Sequence, residues 1–415
     1  MGYGFIKAND GRDGKVFPSV VGEGSSDGGI GLSLGAAARS EDGENDLRIT
    51  FGGKTYFLGE LAVRHSRIAH RGLSATRAEG NDLKVLFLGA LSLYCREPMN
   101  EFLVVTGLPP GRMHLADDLI SRLKGDHTIT RHQGGQAREY GIRLEKIEVV
   151  PQPLGTYWSE VLDNRGNLRA DSRLLRGKIG VIDIGFRTTD FATIIDGEYA
   201  TAWSRTVPIG ISNGYDGISS ALATQFGFER ETYALDNAVI AGQISVSGRM
   251  VDITELRDHV FGEVATKLLV EAQSLWQLPE YDCVLITGGG GYALERYLRP
   301  HLPQSMLVNE PVSANARGYF GWGSYKQQQL AGSRASTAAA VPNQAQPVQQ
   351  AQVPPQEPPS QVASSSLEVE SSSGADGAEP AQSDSDWNQS SSESSWGDSE
   401  ASRSVEPVSE DNNSY

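Results

Sequence analysis

The chain has 415 residues, of which 39% are hydrophobic and 21% charged, with a net charge of -16 and two cysteines. That length supports two or three domains with buried cores. The absence of any run of about 18 apolar residues and of an apolar leader with a cleavage site gives no indication of membrane insertion or export, so a cytoplasmic location is expected. No cluster of Lys and Arg interleaved with aromatics resembles a nucleic-acid surface, and Cys95 and Cys283, far apart and each in an apolar stretch, read as buried reduced thiols.

In chain order, the opening "MGYGFIK" puts a Gly-rich turn directly after Met1, although such turns ordinarily end a buried strand. "NDLKVLFLGALSLYC" (Asn81 to Cys95) has helical spacing with Asn81 as N-cap candidate. "FLVVTGLPP" (Phe102 to Pro110), "GKIGVIDIG" (Gly177 to Gly185) and "YDCVLITGGGG" read as buried strands that end abruptly in Gly or Pro, as central strands do when they deliver a loop to a site. "TELRDHVFGEVATKLLVEAQSLW" (Thr254 to Trp276) is a second helix, with Thr254 as its cap candidate. The class is α/β. Heptads and solenoid periods are absent.

From 326 to 415 the composition turns Gln/Pro/Ala-rich and then Ser-rich and acidic, which buries too little apolar surface to offset chain entropy, so this segment is expected to be disordered. It holds 13 acidic and 3 basic residues and so about ten of the net negative charges, which leaves the remainder only mildly acidic. Trp387 and Trp396 stand isolated in the acidic part, either in a neutral spacer or in a short acidic-aromatic partner motif.

"IGVIDIGFRTTDFATI" (residues 179–194) carries most of the chemistry. A strand ends in Asp183, turns through Gly185, presents Thr188 and Thr189 and re-enters a strand through Asp190. Glycine permits close backbone approach, amides and hydroxyls hold phosphate oxygens, and Asp183 can hold Mg²⁺ through its water shell. An ordinary hairpin needs no aspartate at the end of an apolar strand, where an unpaired buried carboxylate is costly.

Asp-x-Gly-x-x-Thr-Thr-Asp between two strands resembles the second phosphate loop of the actin-like ATPases. "VVPQPLGTYW" is similar to the segment that positions the attacking water, which points to Gln152. "VLITGGGGYAL" resembles the glycine turn beside the nucleotide, using Gly288, Gly289, Gly290 and Gly291, and "GYGFIK" the first phosphate loop, with Gly2, Gly4 and Lys7 matching. "PIGISNGYDGISSAL" resembles the segment after the second loop, where Gly210 and Asn213 begin a helix facing the nucleotide; an ordinary helix capped by Asn213 or Ser212 is the competing reading. With "YFLGELA" and "VVTGLPPGRM", the order is closest to the ParM/StbA plasmid-segregation actins and archaeal actin-like proteins, over residues 1–324.

The resemblance implies two RNase H-like domains around a nucleotide cleft, domain I at 1–165 with 301–325 and domain II at 166–300. It implies Mg²⁺ with ATP, or GTP, and slow hydrolysis with Gln152 and Asp183 as catalytic groups, because an amide orients water but is a weak base. Lys7 is a phosphate cation or, being on a strand, a solvent-facing one. Filaments of the protein itself and an adaptor to DNA cargo are the implied partners, with no direct nucleic-acid contact. In this family a strand and an aspartate precede the first glycine turn, where this chain has only Met1. The resemblance therefore implies either a start assigned too far downstream or a truncated, inactive protein with open strand edges.

A small-molecule kinase of the same superfamily would need a substrate base and sugar-pocket motif that are not found. A dinucleotide-binding oxidoreductase can be drawn from Gly288, Gly290, Ala293 and Glu310, but leaves the Asp183 hairpin unused. A heat-shock chaperone would need a folded peptide-binding domain where the Gln/Ser-rich tail lies. The seven histidines form no paired-ligand pattern, and no Ser/His/Asp or Cys/His set stands out.

Overall fold

The computed structural model describes residues 4–24, 46–65, 70–71, 81–133, 136–169, 173–227 and 235–339. The first half comprises β1 (Phe5–Asn9), β2 (Gly14–Pro18), β3 (Val20–Glu23), β4 (Asp46–Phe51), β5 (Lys54–Gly59), α1 (Glu60–His65), β6 (His70–Arg71), α2 (Asp82–Ser92), β7 (Met99–Leu108), α3 (Ala116–Leu123), β8 (Gly125–Gln133), β9 (Gln136–Pro151) and α4 (Pro153–Val161). The second comprises β10 (Lys178–Ile184), β11 (Thr189–Ile195), β12 (Glu198–Tyr199), β13 (Arg205–Val207), α5 (Ile211–Phe226), α6 (Asp236–Ala241), β14 (Gln243–Val246), β15 (Arg249–Asp252), α7 (Thr254–Leu275), β16 (Cys283–Thr287), α8 (Gly288–Leu298), β17 (Ser305–Leu307) and α9 (Ala314–Ala339). The α/β class agrees with the sequence pattern, and β10 and β16 are the buried interior strands it predicts. β7 is a strand as expected but not a central one: among the described residues it stands at the end of its sheet, with Met99, Glu101 and Leu103 exposed. No helix among the described residues is long and apolar enough to cross a membrane.

One sheet runs β6-β3-β5-β4-β8-β9-β7, and β1 and β2 form a separate hairpin. The other large sheet runs β12-β11-β10-β16-β17, with β13 against β11. In its middle, β10 pairs antiparallel with β11 and parallel with β16, so both its edges are hydrogen-bonded, and its two faces are buried in separate apolar cores, which is why its sequence is a nearly uninterrupted apolar run.

Side chains alternate across β10. Ile182 and Ile184 join the core made with α5, α7 and α8, whereas Ile179 and Val181 face α4. By the same period Asp183 belongs to the α4 face. Helix α9 packs on α4 without intervening side chains at one point, since a Cβ on Gly318 would lie 1.7 Å from the Gly155 carbonyl oxygen. Further along, Trp158 and Trp322 stack with ring centroids 4.3 Å apart and planes 2° from parallel.

Among the described residues β1 pairs only with β2, and β7 only with β9. The start of β1 and the end of β7 both reach the cleft between the sheets, so the strands run in opposite directions. A cavity of about 340 Å³ separates them, bounded by Ile6 and Ala8 on one side and Val104 and Thr106 on the other, and roofed by Phe87 and Phe320. Among the described residues, β1 and β7 thus each leave one edge without a strand partner toward this cavity.

Several boundaries differ from expectation. Residues 326–339, expected to be disordered, continue α9: "KQQQLAGSRASTAA" is rich in good helix formers and has no proline before Pro342. The rest of the expected disordered segment lies outside the described residues. β17 extends the second sheet past the expected boundary at 300, because Ser305–Leu307 pairs in parallel with β16. Neither expected cap operates. Asn81 has helical backbone angles and no side-chain cap bond, and Thr254 is already helical, with its amide donating to Asp252 Oδ1 at 2.8 Å. Cys95 and Cys283 are unbridged, with burial pushing the Cys95 thiol up to about 11.

Candidate functional site

Asp183 ends β10 on its α4 face and is 3% exposed. Two amides meet on one of its oxygens. Gln152 Nε2, at the start of α4, donates to Oδ2 at 2.8 Å, and Asn315 Nδ2, in the first turn of α9, donates to the same oxygen at 2.7 Å. These bonds resolve the cost of burying a carboxylate at the end of an apolar strand. The other oxygen faces the glycine turn after β16: a Cβ on Gly288 would stand 2.7 Å from Asp183 Oδ1 and 2.3 Å from the Ile184 carbonyl oxygen. Gly288 also has φ +83°, so glycine is required there both for its backbone angle and for its close approach.

Around Asp183 lies a cleft of about 360 Å³. Gly4 and Lys7 line it from the β1 side, Gly185 and Thr188 from the β10–β11 turn, and Gly288, Gly289 and Gly290 from the start of α8. Gly289 has open space where a side chain would be. Lys7 thus points inward. Burial pushes its ammonium pKa down, and the negative charge of Asp183 partly restores it.

Gly2 lies outside the described residues. One further expectation is corrected. Thr189 is fully buried and its hydroxyl donates to the Ile209 carbonyl at 2.7 Å, because its place at the start of β11 turns it into the core. Gly210 and Asn213 begin α5, where Gly210 N–H donates to Asn213 Oδ1 at 2.9 Å; the first residue of α5, Ile211, lines the main cleft, and Asn213 lines an adjoining cavity with Arg112 and Thr188.

Asp190 sits opposite Asp183 across the ladder and is 2% exposed. Burial, and then the adjacent charge of Asp183, push its carboxyl well above the usual range. The Gly111 amide donates to Thr206 Oγ1 at 3.1 Å, and that hydroxyl donates to Asp190 Oδ1 at 2.7 Å, so the loop after β7 is tied to the second sheet through Asp190.

Sequence reasoning missed Asn315, together with Arg112 and Arg122, which line the cleft from the segment after β7. The available signal for Asn315 was "ANARGYFGWG", a helix start with small residues at Gly318 and Gly321, the pattern of a helix that approaches another backbone closely.

Two large sheets lie beside one cleft, which is lined by glycine turns and a buried carboxylate. Residues 1–155 match the N-terminal domain family of actin like proteins, and residues 181–300 match the C-terminal domain family of the archaeal actin homologue MreB-like proteins. No curated protein sequence matches the chain. Among solved structures, a 15-stranded ParM filament from Clostridium botulinum is 26% identical with a TM-score of 0.64, over 79% of this chain and 97% of that one. The archaeal actin homologue Ta0583 in complex with ADP is 19% identical with a TM-score of 0.62, over 78% and 96% of the two chains. ParM from Bacillus thuringiensis with AMPPNP is 15% identical with a TM-score of 0.58, over 77% and 93%. The chain carries an actin-like N-terminal domain and an archaeal MreB-like C-terminal domain, in a fold shared with ParM and archaeal actin homologues. The kinase and oxidoreductase alternatives are not favoured.

The residues present fit a hydrated Mg²⁺ with nucleotide phosphates. Asp183 keeps one oxygen for its two amides and turns the other toward a glycine cradle that any Cβ at Gly288 would fill.

Proposed function

We propose that this protein binds a nucleoside triphosphate with Mg²⁺ in the cleft, hydrolyses it slowly and couples its nucleotide state to assembly of filaments of itself. ATP is the expected nucleotide, with GTP the alternative. The observation that carries this reading is the position of Asp183, a buried carboxylate on the cleft floor between the turns of Gly4, Gly185 and Gly288.

The backbone around Gly4 and Gly185 and the hydroxyl of Thr188 bind phosphate oxygens, and Lys7 supplies positive charge. Asp183 would hold the metal through its water shell. Bound Mg²⁺ supplies neutralisation of the phosphate charge. Gln152, released from Asp183, orients the attacking water. An amide cannot take up its proton efficiently, so turnover is slow and the nucleotide serves as a timer for assembly.

The solved ParM filament motivates the assembly part, and heterologous contacts that do not close produce open filaments. Segregation of DNA cargo through an adaptor, in the cytoplasm, is the corresponding cellular role. Calorimetric titration with Mg-ATP and Mg-GTP, combined with sedimentation and electron microscopy, tests the proposal. Nucleotide binding and nucleotide-dependent pelleting are expected. A folded protein that binds neither nucleotide and never pellets overturns it.

A further inference from the structure

The two amides on Asp183 Oδ2 are held differently. Asn315 is anchored at both ends: its Nδ2 donates to Asp183 and its Oδ1 accepts from Thr156 Oγ1 at 2.7 Å. Thr156 is fully buried, and its hydroxyl lies 3.2 Å from that of Thr287, which donates to the Pro311 carbonyl at 3.1 Å. Flipping the Asn315 amide would aim its oxygen at a carboxylate and its NH₂ at a hydroxyl hydrogen, so the network fixes its orientation. Gln152 is anchored at one end only. Among the described residues no hydrogen bond holds its Oε1, and its side chain reaches the cleft from the first residue before α4.

From this asymmetry we infer that Asn315 is the permanent positioning residue of Asp183, whereas Gln152 is the exchangeable partner. When Gln152 leaves to orient water, Asn315 keeps Oδ2 satisfied, and Oδ1 stays directed at the metal's water shell. Without Asn315, departure of Gln152 would strand a buried carboxylate oxygen, so Gln152 would stay and Asp183 would be free to turn. Helix α9 thereby acts on the chemistry, although its packing alone would make it a structural element. This inference rests on the nucleotide-binding reading above.

The test compares the full-length wild type with Asn315→Ala, Asn315→Asp, Thr156→Val and Thr156→Ser. It measures binding of a fluorescent ATP analogue in Mg²⁺ and in EDTA, the Mg²⁺ concentration for half-maximal binding, and turnover. In Asn315→Ala, affinity in EDTA should stay within about twofold while the Mg²⁺ requirement rises about tenfold. Asn315→Asp, which sets a like charge against Asp183, should raise it further. Thr156→Val should share the shift at smaller size, and Thr156→Ser, which keeps the hydroxyl, should not. Equal loss of affinity with and without Mg²⁺, or wild-type Mg²⁺ dependence in folded Asn315→Ala, overturns the inference and leaves the nucleotide-binding reading standing. A wild type that binds no nucleotide overturns both.

Discussion

Gln152 Nε2 donates to Asp183 Oδ2 across 2.8 Å, which joins the first residue before α4 to the last turn-facing carboxylate of β10. In the proposed mechanism the residue that orients water thus rests on the residue that orients the metal, and this contact must break along the reaction path. Asp183→Ala should reduce Mg²⁺-dependent hydrolysis by about a hundredfold or more, a loss comparable with removing one aimed electrostatic group. It also leaves the Gln152 and Asn315 amides without their acceptor. Turnover of Mg-ATP in the variant, with circular dichroism to establish folding, checks this; unchanged hydrolysis removes Asp183 from the site.

Gln152→Ala should leave nucleotide affinity within about twofold and slow hydrolysis about tenfold, because water positioning matters only along the reaction path. Single-turnover kinetics separates the two. Collapse of affinity with normal turnover of bound ATP would make Gln152 a binding residue.

Asp190 sets a pH dependence. Its folded pKa lies above the unfolded value, so the neutral form is favoured in the fold and stability is greatest below the unfolded pKa near 3.9. As pH rises beyond that value the unfolded chain gives up the proton first, and stability declines until the folded carboxyl titrates. Asp190→Asn keeps an acceptor for Thr206 and carries no charge. The variant should match wild type near pH 4 and melt higher at pH 7, as thermal denaturation across that range will report; an unchanged difference with pH would show that Asp190 is ionised in the fold.

The facing edges of β1 and β7 predict a gain on insertion of a strand. A five-residue apolar segment ending in Asp, placed one residue before Gly2, would hydrogen-bond antiparallel to β1 and parallel to β7, and bring a carboxylate toward Lys7. The melting temperature should rise by about 5 °C or more. A scrambled charged segment is the control, and equal melting temperatures for both would mean that the cavity does not admit a strand.

Assembly should reside in residues 1–343, which form one unit. Residues 344–415 carry 13 acidic residues and one Arg, so neighbouring copies repel along a polymer at low salt, and less so at 0.15 M, where the Debye length is about 8 Å. Cutting after Asn343 should lower the critical concentration about twofold at low salt. Pelleting assays with ATP, ADP and no nucleotide will measure it, and filaments lost on truncation would make the removed segment an assembly element.

The parts of the site visible in the sequence were those written locally. Asp183, Gly185 and Thr188 occupy one hairpin, and Gly288 to Gly290 follow one strand, so strand periodicity and turn chemistry place them. Asn315 was hidden because its partner is 132 residues away and is reached only through packing of α9 on α4. Thr189 read as a site residue because its neighbour Thr188 lines the cleft, although Thr188 belongs to the turn and Thr189 opens β11 with its side chain turned into the core. The end of α9 was misplaced because the compositional change at 326 precedes the first true helix breaker, Pro342.

The contact between Gly155 and Gly318 makes the joint of α4 and α9 a fit between two main chains. Side-chain contacts, such as the Trp158–Trp322 stack further along, can relax by changing rotamer, but at the glycine contact there is no side chain to adjust. Gln152 and Asn315, mounted three residues before each of these glycines, therefore share a single alignment, and wear at one helix is transmitted to both amides at once. Mutational drift in this region should consequently be read out as paired loss at the cleft, well before either helix unfolds.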